Sequence, residues 1–174
     1  MKRDDCDTGQ RTPLSVEQAL ETLLEQAQPL TDTEFVELDQ AAGRVLAGGL
    51  SSPIELPSWD NSAMDGYAFA SADLAGQQGL LRVSQRIPAG SAGQPLEPGT
   101  AARIFTGAPV PQGADTVVVQ EICEASGDQV RIPLDVKPGA NIRHHGEDVH
   151  LGDQVLEIGT RLGPQHLGVA ASVG

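Results

Sequence analysis

The spacing of hydrophobic and polar positions changes along the chain, and each spacing predicts a different element. Residues 1–12 are polar and charged and offer nothing to bury, so we expect a disordered tail. Over residues 16–27 apolar side chains recur every three or four positions, which predicts a helix. Ser15 and Gln18 have the spacing of a capping box at its start, and Pro29 is expected to stop it.

Short apolar runs between turn-forming residues follow this helix. Phe35-Val-Glu-Leu38 has the alternation of a short strand. Asp39 is a good N-cap for a second, brief helix over residues 40–46. From Ser51 to Pro57 the prolines favour extended chain.

The middle of the chain has the pattern of a compact all-β unit, in which short runs rich in Val, Ile and Leu alternate with Pro and Gly turns. The predicted strands are Leu80–Ile87, Ala101–Phe105, Thr116–Glu121 and Gln129–Ile132. After a polar segment over residues 141–150, we expect a strand near Gln154–Ile158 and a last helix from Pro164 to Gly174. The abrupt end at this helix leads us to expect a further domain in the native gene product.

These elements predict an α+β protein that is mostly β. The simplest architecture is discontinuous: an outer domain of residues 13–50 and 141–174, with a small β domain of residues 51–140 inserted between its two parts.

The formal charge of −13 argues against nucleic-acid and anionic-membrane partners, because both are held mainly by Lys and Arg that neutralise phosphates. No apolar run approaches the roughly 20 residues of a membrane span, and the N-terminus lacks the apolar stretch of a signal peptide. We therefore expect a cytoplasmic protein. Cys6 and Cys123 are predicted to be free thiols.

Three segments could carry chemistry, and the first is residues 57–67. Two acids, Asp60 and Asp65, flank a run of small polar residues that has no apolar periodicity. Their spacing alone favours acids that shape a turn. The alternative is that one or both carboxylates hold a cation such as Mg²⁺ or orient a water or substrate hydroxyl. Trp59, in the same segment, is predicted either to belong to the core or to anchor a subunit contact.

The second segment, residues 103–115, contains a predicted strand that breaks at Thr106-Gly107. A hydroxyl followed by a glycine at a strand end can form a nest for an anion, whereas the ordinary interpretation is a loop in which Thr106 satisfies a backbone group.

The third segment, residues 139–150, has the densest set of ionisable groups. We expect Arg143 to pair with Glu147 or Asp148. A transition-metal site is disfavoured, because adjacent histidines point to opposite sides of a strand. His166, outside this segment, is expected to be a surface residue near the start of the last helix.

Together with a fourth short motif, these segments resemble the molybdopterin molybdenumtransferase family, which includes bacterial enzymes of molybdenum-cofactor synthesis and the E domain of gephyrin. They occur in the family's order and at similar separations, from about Ser15 to the last residue. The motifs are DNSAMDGYA (60–68), RIFTGAPVPQGAD (103–115), NIRHHGED (141–148) and GTRL (159–162). His144 and His145 stand where the family commonly has further arginine, so we carry no anion-binding role onto them.

The resemblance implies an elongated homodimer with an inserted, small, β-barrel-like domain. In a full-length chain an α/β domain that binds the pterin and a small C-terminal β domain would follow. It also implies a reaction in which adenylylated molybdopterin (adenylyl-molybdopterin) and molybdate, with Mg²⁺, give molybdenum cofactor and AMP. Carboxylates would repel molybdate, so basic groups elsewhere are expected to hold that anion.

The same resemblance assigns roles to individual residues. Asp65 and Thr106 would line an active-site cleft shared by two subunits, and Asp148 lies in a segment associated with activity. These three are the predicted catalytic residues, and Asp65 is the candidate Mg²⁺ ligand. The residues predicted to support or contact the bound pterin nucleotide are Asp60, Asn61, Ser62 and Gly107.

The predicted partners are a second copy of the chain, the pterin nucleotide and the molybdopterin adenylyltransferase. Two other functions stay open: a non-catalytic dimerisation or scaffold module of the same fold, and a hydrolase that uses Asp60 and Asp65 as a carboxylate pair. The hydrolase is less favoured because nothing else in the chain supplies a substrate pocket or a nucleophile.

Overall fold

The computed structural model describes residues 13–28 and 30–174, in two compact units that divide between Phe35 and Val36. The predicted tail and Pro29 lie outside the described residues. The first unit contains helix α1, Val16–Gln26. The predicted capping box is confirmed, since the Gln18 N–H donates to Ser15 Oγ at 3.2 Å and the Ser15 N–H donates to Gln18 Oε1 at 3.0 Å.

The second unit is built from short strands with two further helices. Its strands are β1 Leu50–Ser51, β2 Asn61–Ser62, β3 Gly66–Phe69, β4 Leu80–Ile87, β5 Thr100–Ile104, β6 Thr116–Val119, β7 Glu124–Ser126, β8 Gln129–Arg131, β9 Ile142–Arg143 and β10 Gln154–Leu156. Its helices are α2 Ser71–Gly76 and α3 Pro164–Val173, with 3₁₀ turns at Leu38–Gln40 and Gln120–Ile122. Among the described residues, no helix is long and apolar enough to cross a membrane.

A six-stranded sheet forms the centre of this unit, in the order β6-β3-β5-β4-β8-β7. Only β4 and β5 pair in parallel, and the other neighbours are antiparallel. The four strands predicted for the β unit are present in this sheet as β4, β5, β6 and β8, and the strand predicted near Gln154 is present outside it as β10, with ends that shift by a few residues. The mostly-sheet α+β fold class is thereby confirmed.

The central strand β3 was not predicted. Its four residues, Gly66 to Phe69, are all buried because β5 and β6 flank it. A strand that is buried on both faces shows no polar alternation, and this one is too short to stand out beside a turn-forming Asp-Gly pair. The short helix α2 was not predicted either, because its six residues are too few to show a helical period.

Apolar side chains cover both faces of the sheet. On one face the buried residues are Tyr67, Phe69, Leu74, Leu81, Ala101, Val118, Val130 and Ile132. On the other they are Ala68, Ile87, Ala102, Ile104, Ala108 and Val117. The sheet is therefore fixed from both sides, and the loops at its ends are held in place by a close-packed support.

Two predictions before β1 are wrong. Residues 35–37 form no strand, and the Phe35 side chain is fully exposed rather than packed on a sheet. Asp39 lies inside a 3₁₀ turn that ends at Gln40, and residues 41–46 are not helical. Here pairing with a distant segment overrides the helix signal, since Val45 bridges Arg161 and the Leu46 N–H donates to the Thr160 carbonyl at 3.0 Å.

Strand β1 pairs with β10, and β2 pairs with β9, so chain segments on either side of the six-stranded sheet are hydrogen-bonded to each other. A discontinuous outer domain requires pairings of this kind. The predicted domain limits at residues 50 and 140 stay a prediction.

Candidate functional site

Asp65 and Thr106 meet at one end of the central sheet. Asp65 directly precedes β3, and Thr106 follows β5, whose Ile104 pairs with Gly66. The Thr106 N–H and hydroxyl both donate to Asp65 Oδ1, each at 2.8 Å. Thr106 is exposed and Asp65 is half-buried, so this contact lies at an open surface of the sheet end.

These hydrogen bonds set the protonation state of Asp65. The Thr106 N–H, then the Thr106 hydroxyl and, more weakly, the charge of Arg103 hold the pKa of Asp65 below its ordinary value. The carboxylate is therefore ionised at neutral pH. No described residue donates a hydrogen bond to its Oδ2, so that oxygen is open to a ligand, a water or a metal ion.

The loop before Asp65 is fastened to the loop after β5 through backbone groups. The Ser62 N–H donates to the Ala108 carbonyl at 2.9 Å, and the Gly107 N–H donates to the Ser62 carbonyl at 2.8 Å. The Ser62 hydroxyl is buried and donates to the Met64 carbonyl at 2.6 Å. Ser62 and Gly107 thus hold the loop through their backbones, and their predicted contact with a nucleotide stays a prediction.

Asn61 carries a buried amide oxygen that lacks a hydrogen-bond partner among the described residues. Its backbone pairs with Arg143 on β9 and forms a bridge to Pro109. The side chain therefore sits where three segments meet.

Asp60 joins this loop to the third segment. Its Oδ1 accepts the His145 N–H at 2.8 Å, and its Oδ2 lies 3.5 Å from His144 Nδ1. His145 Nε2 lies 2.9 Å from Glu55 Oε2. Both histidines thus contact carboxylates of the 55–60 segment.

Arg143 pairs with both predicted acids. Its Nε lies 3.1 Å from Glu147 Oε1, and its Nη2 contacts Asp148 Oδ2. The His144 N–H, followed by the Arg143 guanidinium, holds the pKa of Glu147 below its ordinary value. Asp148, the third predicted catalytic residue, is thus bound to Arg143, and no hydrogen bond joins it to Asp65 among the described residues.

The donor set does not form a complete metal site. Among the described residues, no group of three or more His, Cys, Asp or Glu side chains is arranged to hold a metal ion. Asp65 and Asp148 each keep one carboxylate oxygen without a hydrogen bond from a described residue, whereas both oxygens of Asp60 contact a histidine. Mg²⁺ commonly binds through one or two carboxylates plus waters and substrate phosphates, so Asp65 alone could contribute only one ligand.

The structure also places the predicted residues Trp59 and His166. Trp59 is 56% exposed and so does not belong to the core of this chain. The His166 Nδ1 accepts the Gly163 N–H at 3.0 Å at the start of α3, and the ring is half-buried rather than fully at the surface. A cavity of about 450 Å³ lies between α2 and residues 134–138, and none of the predicted site residues lines it.

Sequence reasoning missed a row of aromatic and cationic side chains beside Thr106. The Arg103 guanidinium carbon lies 5.4 Å from the Tyr67 ring centroid and 4.2 Å from the Phe105 centroid. The guanidinium carbon of Arg86 lies 4.3 Å from the Phe105 centroid. The alternation of Arg103 and Phe105 along a strand could have placed those two on one face, but Arg86 reaches them only through the parallel pairing of β4 with β5.

The chain matches known proteins over most of its length. Residues 14–174 match the family model described as MoeA N-terminal region (domain I and II). The chain is 44% identical over 164 residues to the molybdopterin molybdenumtransferase of Haemophilus influenzae, covering 92% of this chain and 40% of that protein. It is 46% identical over 144 residues to the molybdopterin molybdenumtransferase 2 of Mycobacterium tuberculosis, covering 80% of this chain and 36% of that protein.

Solved structures agree with the sequence matches. The crystal structure of the molybdopterin biosynthesis moeA protein from Pyrococcus horikoshii OT3 superposes with a TM-score of 0.83 at 36% identity, covering 91% of this chain and 43% of that one. The chain therefore spans about two fifths of the length of the relatives it matches.

Proposed function

The chain belongs to the family of the MoeA N-terminal region (domain I and II), and from this premise we propose that it serves molybdenum cofactor biosynthesis as part of a molybdopterin molybdenumtransferase. The reaction would insert molybdate into adenylylated molybdopterin and release AMP. The observation that carries the proposal is the open contact between Asp65 and Thr106, in which an ionised carboxylate keeps one oxygen unbound.

Asp65 can take part in such a reaction through its Oδ2. An ionised carboxylate accepts a hydrogen bond from water or a hydroxyl and so orients the oxygen that attacks a phosphoanhydride. Thr106 fixes the carboxylate through two donors, which reduces the reorganisation needed when a substrate arrives. Asp148 and Asp60 would act indirectly, because Arg143 pairs with one oxygen of Asp148 and both oxygens of Asp60 contact histidines.

Mg²⁺ belongs to the proposal only as a species that substrate phosphates would bring, since the described residues do not supply a full set of ligands. No step assigned to Asp65 or Thr106 depends on the metal.

The proposed assembly is a homodimer in the cytoplasm, with the molybdopterin adenylyltransferase as a further partner. Helix α1 supports the dimer, because none of its residues is buried and its apolar side chains face solvent. The exposed side chains are Val16, Leu20, Leu23 and Leu24. Apolar helix faces of this kind are commonly covered by another chain.

Complementation tests the enzymatic role. The entire native gene is expressed in a bacterial strain that lacks molybdopterin molybdenumtransferase, and the activity of a molybdenum-dependent nitrate reductase is measured. We expect rescue by the wild type and a loss of about 100-fold or more with Asp65→Asn, which removes the open carboxylate oxygen. The exposed Asp135→Asn serves as the matched control and should rescue fully.

Protein levels are compared by immunoblot, so that a loss of folding is separated from a loss of chemistry. Undiminished rescue by Asp65→Asn would remove this residue from the mechanism. Absence of rescue by the well-expressed wild type would favour the alternative, a dimerisation or scaffold module without enzymatic activity.

A further inference from the structure

Arg86 ends the aromatic and cationic row at an exposed position. The row runs from Tyr67 through Arg103 and Phe105 to Arg86, and Phe105 directly precedes Thr106. Arg86 and Arg103 are direct partners across the parallel strands β4 and β5. Like charges placed side by side on a sheet are destabilising, so this pairing needs compensation. The Phe105 ring supplies part of it through cation–π attraction.

The two arginines differ in how their donors are used. Arg103 Nη1 donates to the carbonyls of Gly66 and Ile104, at 2.9 and 2.6 Å, and its Nη2 donates to Gln120 Oε1. No described residue accepts a hydrogen bond from Arg86, and no carboxylate of the described chain pairs with either arginine. The guanidinium group of Arg103 is therefore held in place by its hydrogen bonds. The neighbouring guanidinium group of Arg86 keeps its N–H donors available for a ligand.

This lack of acidic partners stands out in a chain with a formal charge of −13. Arg82, on the same strand as Arg86, pairs with Glu97, and Arg143 pairs with two acids. The ionised Asp65 interacts with Arg103 only at longer range, and two adjacent arginines without an ion-paired carboxylate form a local positive site. A multiply charged anion would be attracted there and repelled by most of the remaining surface.

We propose that Arg86 and Arg103, stacked on Phe105, bind the phosphoryl group of a small phosphate ester. A phosphate monoester carries a charge near −2 at neutral pH, which matches the two guanidinium groups, and its oxygens suit the bidentate fork of Arg86. A planar ring on the same ester can stack against the guanidinium plane of Arg86. This phosphate site does not depend on the proposed role in molybdenum cofactor biosynthesis, because Arg86, Arg103 and Phe105 come together within this one chain.

NMR titration of the ¹⁵N-labelled 174-residue chain tests the site, with the arginine Nε–H signals as the readout and the ionic strength held constant. The probes are inorganic phosphate, phenyl phosphate and phenol. Phenyl phosphate is expected to shift the Nε–H signals of Arg86 and Arg103. Arg86→Gln should weaken its binding on the order of tenfold. Arg82→Gln, which removes the same charge from the same strand, should bind within about twofold of the wild type.

Arg86→Lys should keep part of the affinity, because it retains the charge and loses the planar fork. Equal affinity for the two phosphates would assign the site to the phosphoryl group alone, and tighter binding of phenyl phosphate would add a stacked ring. The proposal is overturned if phosphate produces no localised shift. It is also overturned if phenol binds as tightly as phenyl phosphate, or if Arg82→Gln weakens binding as much as Arg86→Gln.

Discussion

Gly66 is the position at which a single methyl group should do most damage to the central sheet. It follows Asp65 and opens strand β3, which lies between β5 and β6. A Cβ built on Gly66 would lie 1.8 Å from the Val118 carbonyl oxygen and 2.8 Å from its carbonyl carbon. Both atoms belong to backbone, so neither can rotate away. Gly66→Ala must therefore push β3 and β6 apart.

The size of the effect follows from this distance. Real Cβ contacts stay above 3.0 Å, so the Val118 oxygen must retreat by at least about 1.2 Å. Forcing one extra methyl group into a packed region costs roughly 1–3 kcal/mol, and loosening one or two ladder hydrogen bonds adds about 1 kcal/mol each. We expect a loss of roughly 2–5 kcal/mol in the free energy of unfolding, a large part of the 5–15 kcal/mol typical of a domain.

Urea unfolding followed by far-ultraviolet circular dichroism measures this loss. With a slope of about 2 kcal/mol per molar urea, the midpoint of Gly66→Ala should fall by roughly 1–2.5 M. Gly107→Ala is the matched control, because Gly107 has a φ of +79° but nothing within 4 Å of its Cβ position. Its left-handed backbone should cost only about 1–2 kcal/mol. A smaller midpoint shift for Gly66→Ala than for Gly107→Ala would refute the reasoning.

Two further predictions concern titrating groups. Burial raises the pKa of Asp115, but three hydrogen bonds together lower it by more than burial raises it. They come from the Ser71 N–H, the Thr116 hydroxyl and the Ser71 hydroxyl. The pKa of Asp115 in the folded chain therefore lies below its unfolded value. The stability that the Asp115 carboxylate contributes is therefore present above the unfolded pKa near 3.8 and is lost as pH falls through the folded pKa. Between roughly pH 6 and pH 2, the urea midpoint of Asp115→Asn should fall less steeply than that of the wild type. Burial, with the nearby charge of Glu121, raises the pKa of the Cys123 thiol to about 11. In a Cys6→Ser variant, iodoacetamide at about pH 8 should alkylate Cys123 on the order of 100-fold more slowly than free cysteine, because little thiolate is present. Mass spectrometry measures the two rates, and comparable rates would contradict the burial of Cys123.

Local signals predicted the elements whose own residues carry a strong pattern. The capping box at Ser15 and the alternation over Leu80–Ile87 each indicated an element that the structure confirms. The failures lie where distant pairing decides. β3 is a strand because β5 and β6 flank it, and residues 41–46 are not helical because Val45 and Leu46 pair with residues near 160.

The same rule holds for the candidate site. The pairing of Arg143 with Glu147 and Asp148 is local and was predicted from spacing. The contact between Asp65 and Thr106 joins residues 41 positions apart, and only the family resemblance placed them in one cleft. Arg86 carried no motif, and it reaches Phe105 through the register of two parallel strands.

The acids of this region fasten loops as well as carry charge, and this decides which substitutions are informative. Asp60, Asp65 and Glu147 each accept a backbone N–H from another residue of the site loops. Replacing Asp65 with Ala would release Thr106 and would confuse loop structure with chemistry. Asn keeps an acceptor oxygen that can receive both Thr106 donors, and it puts an NH₂ group where the open Oδ2 lies. A loss of activity in Asp65→Asn with an unchanged unfolding midpoint would therefore report on that one oxygen.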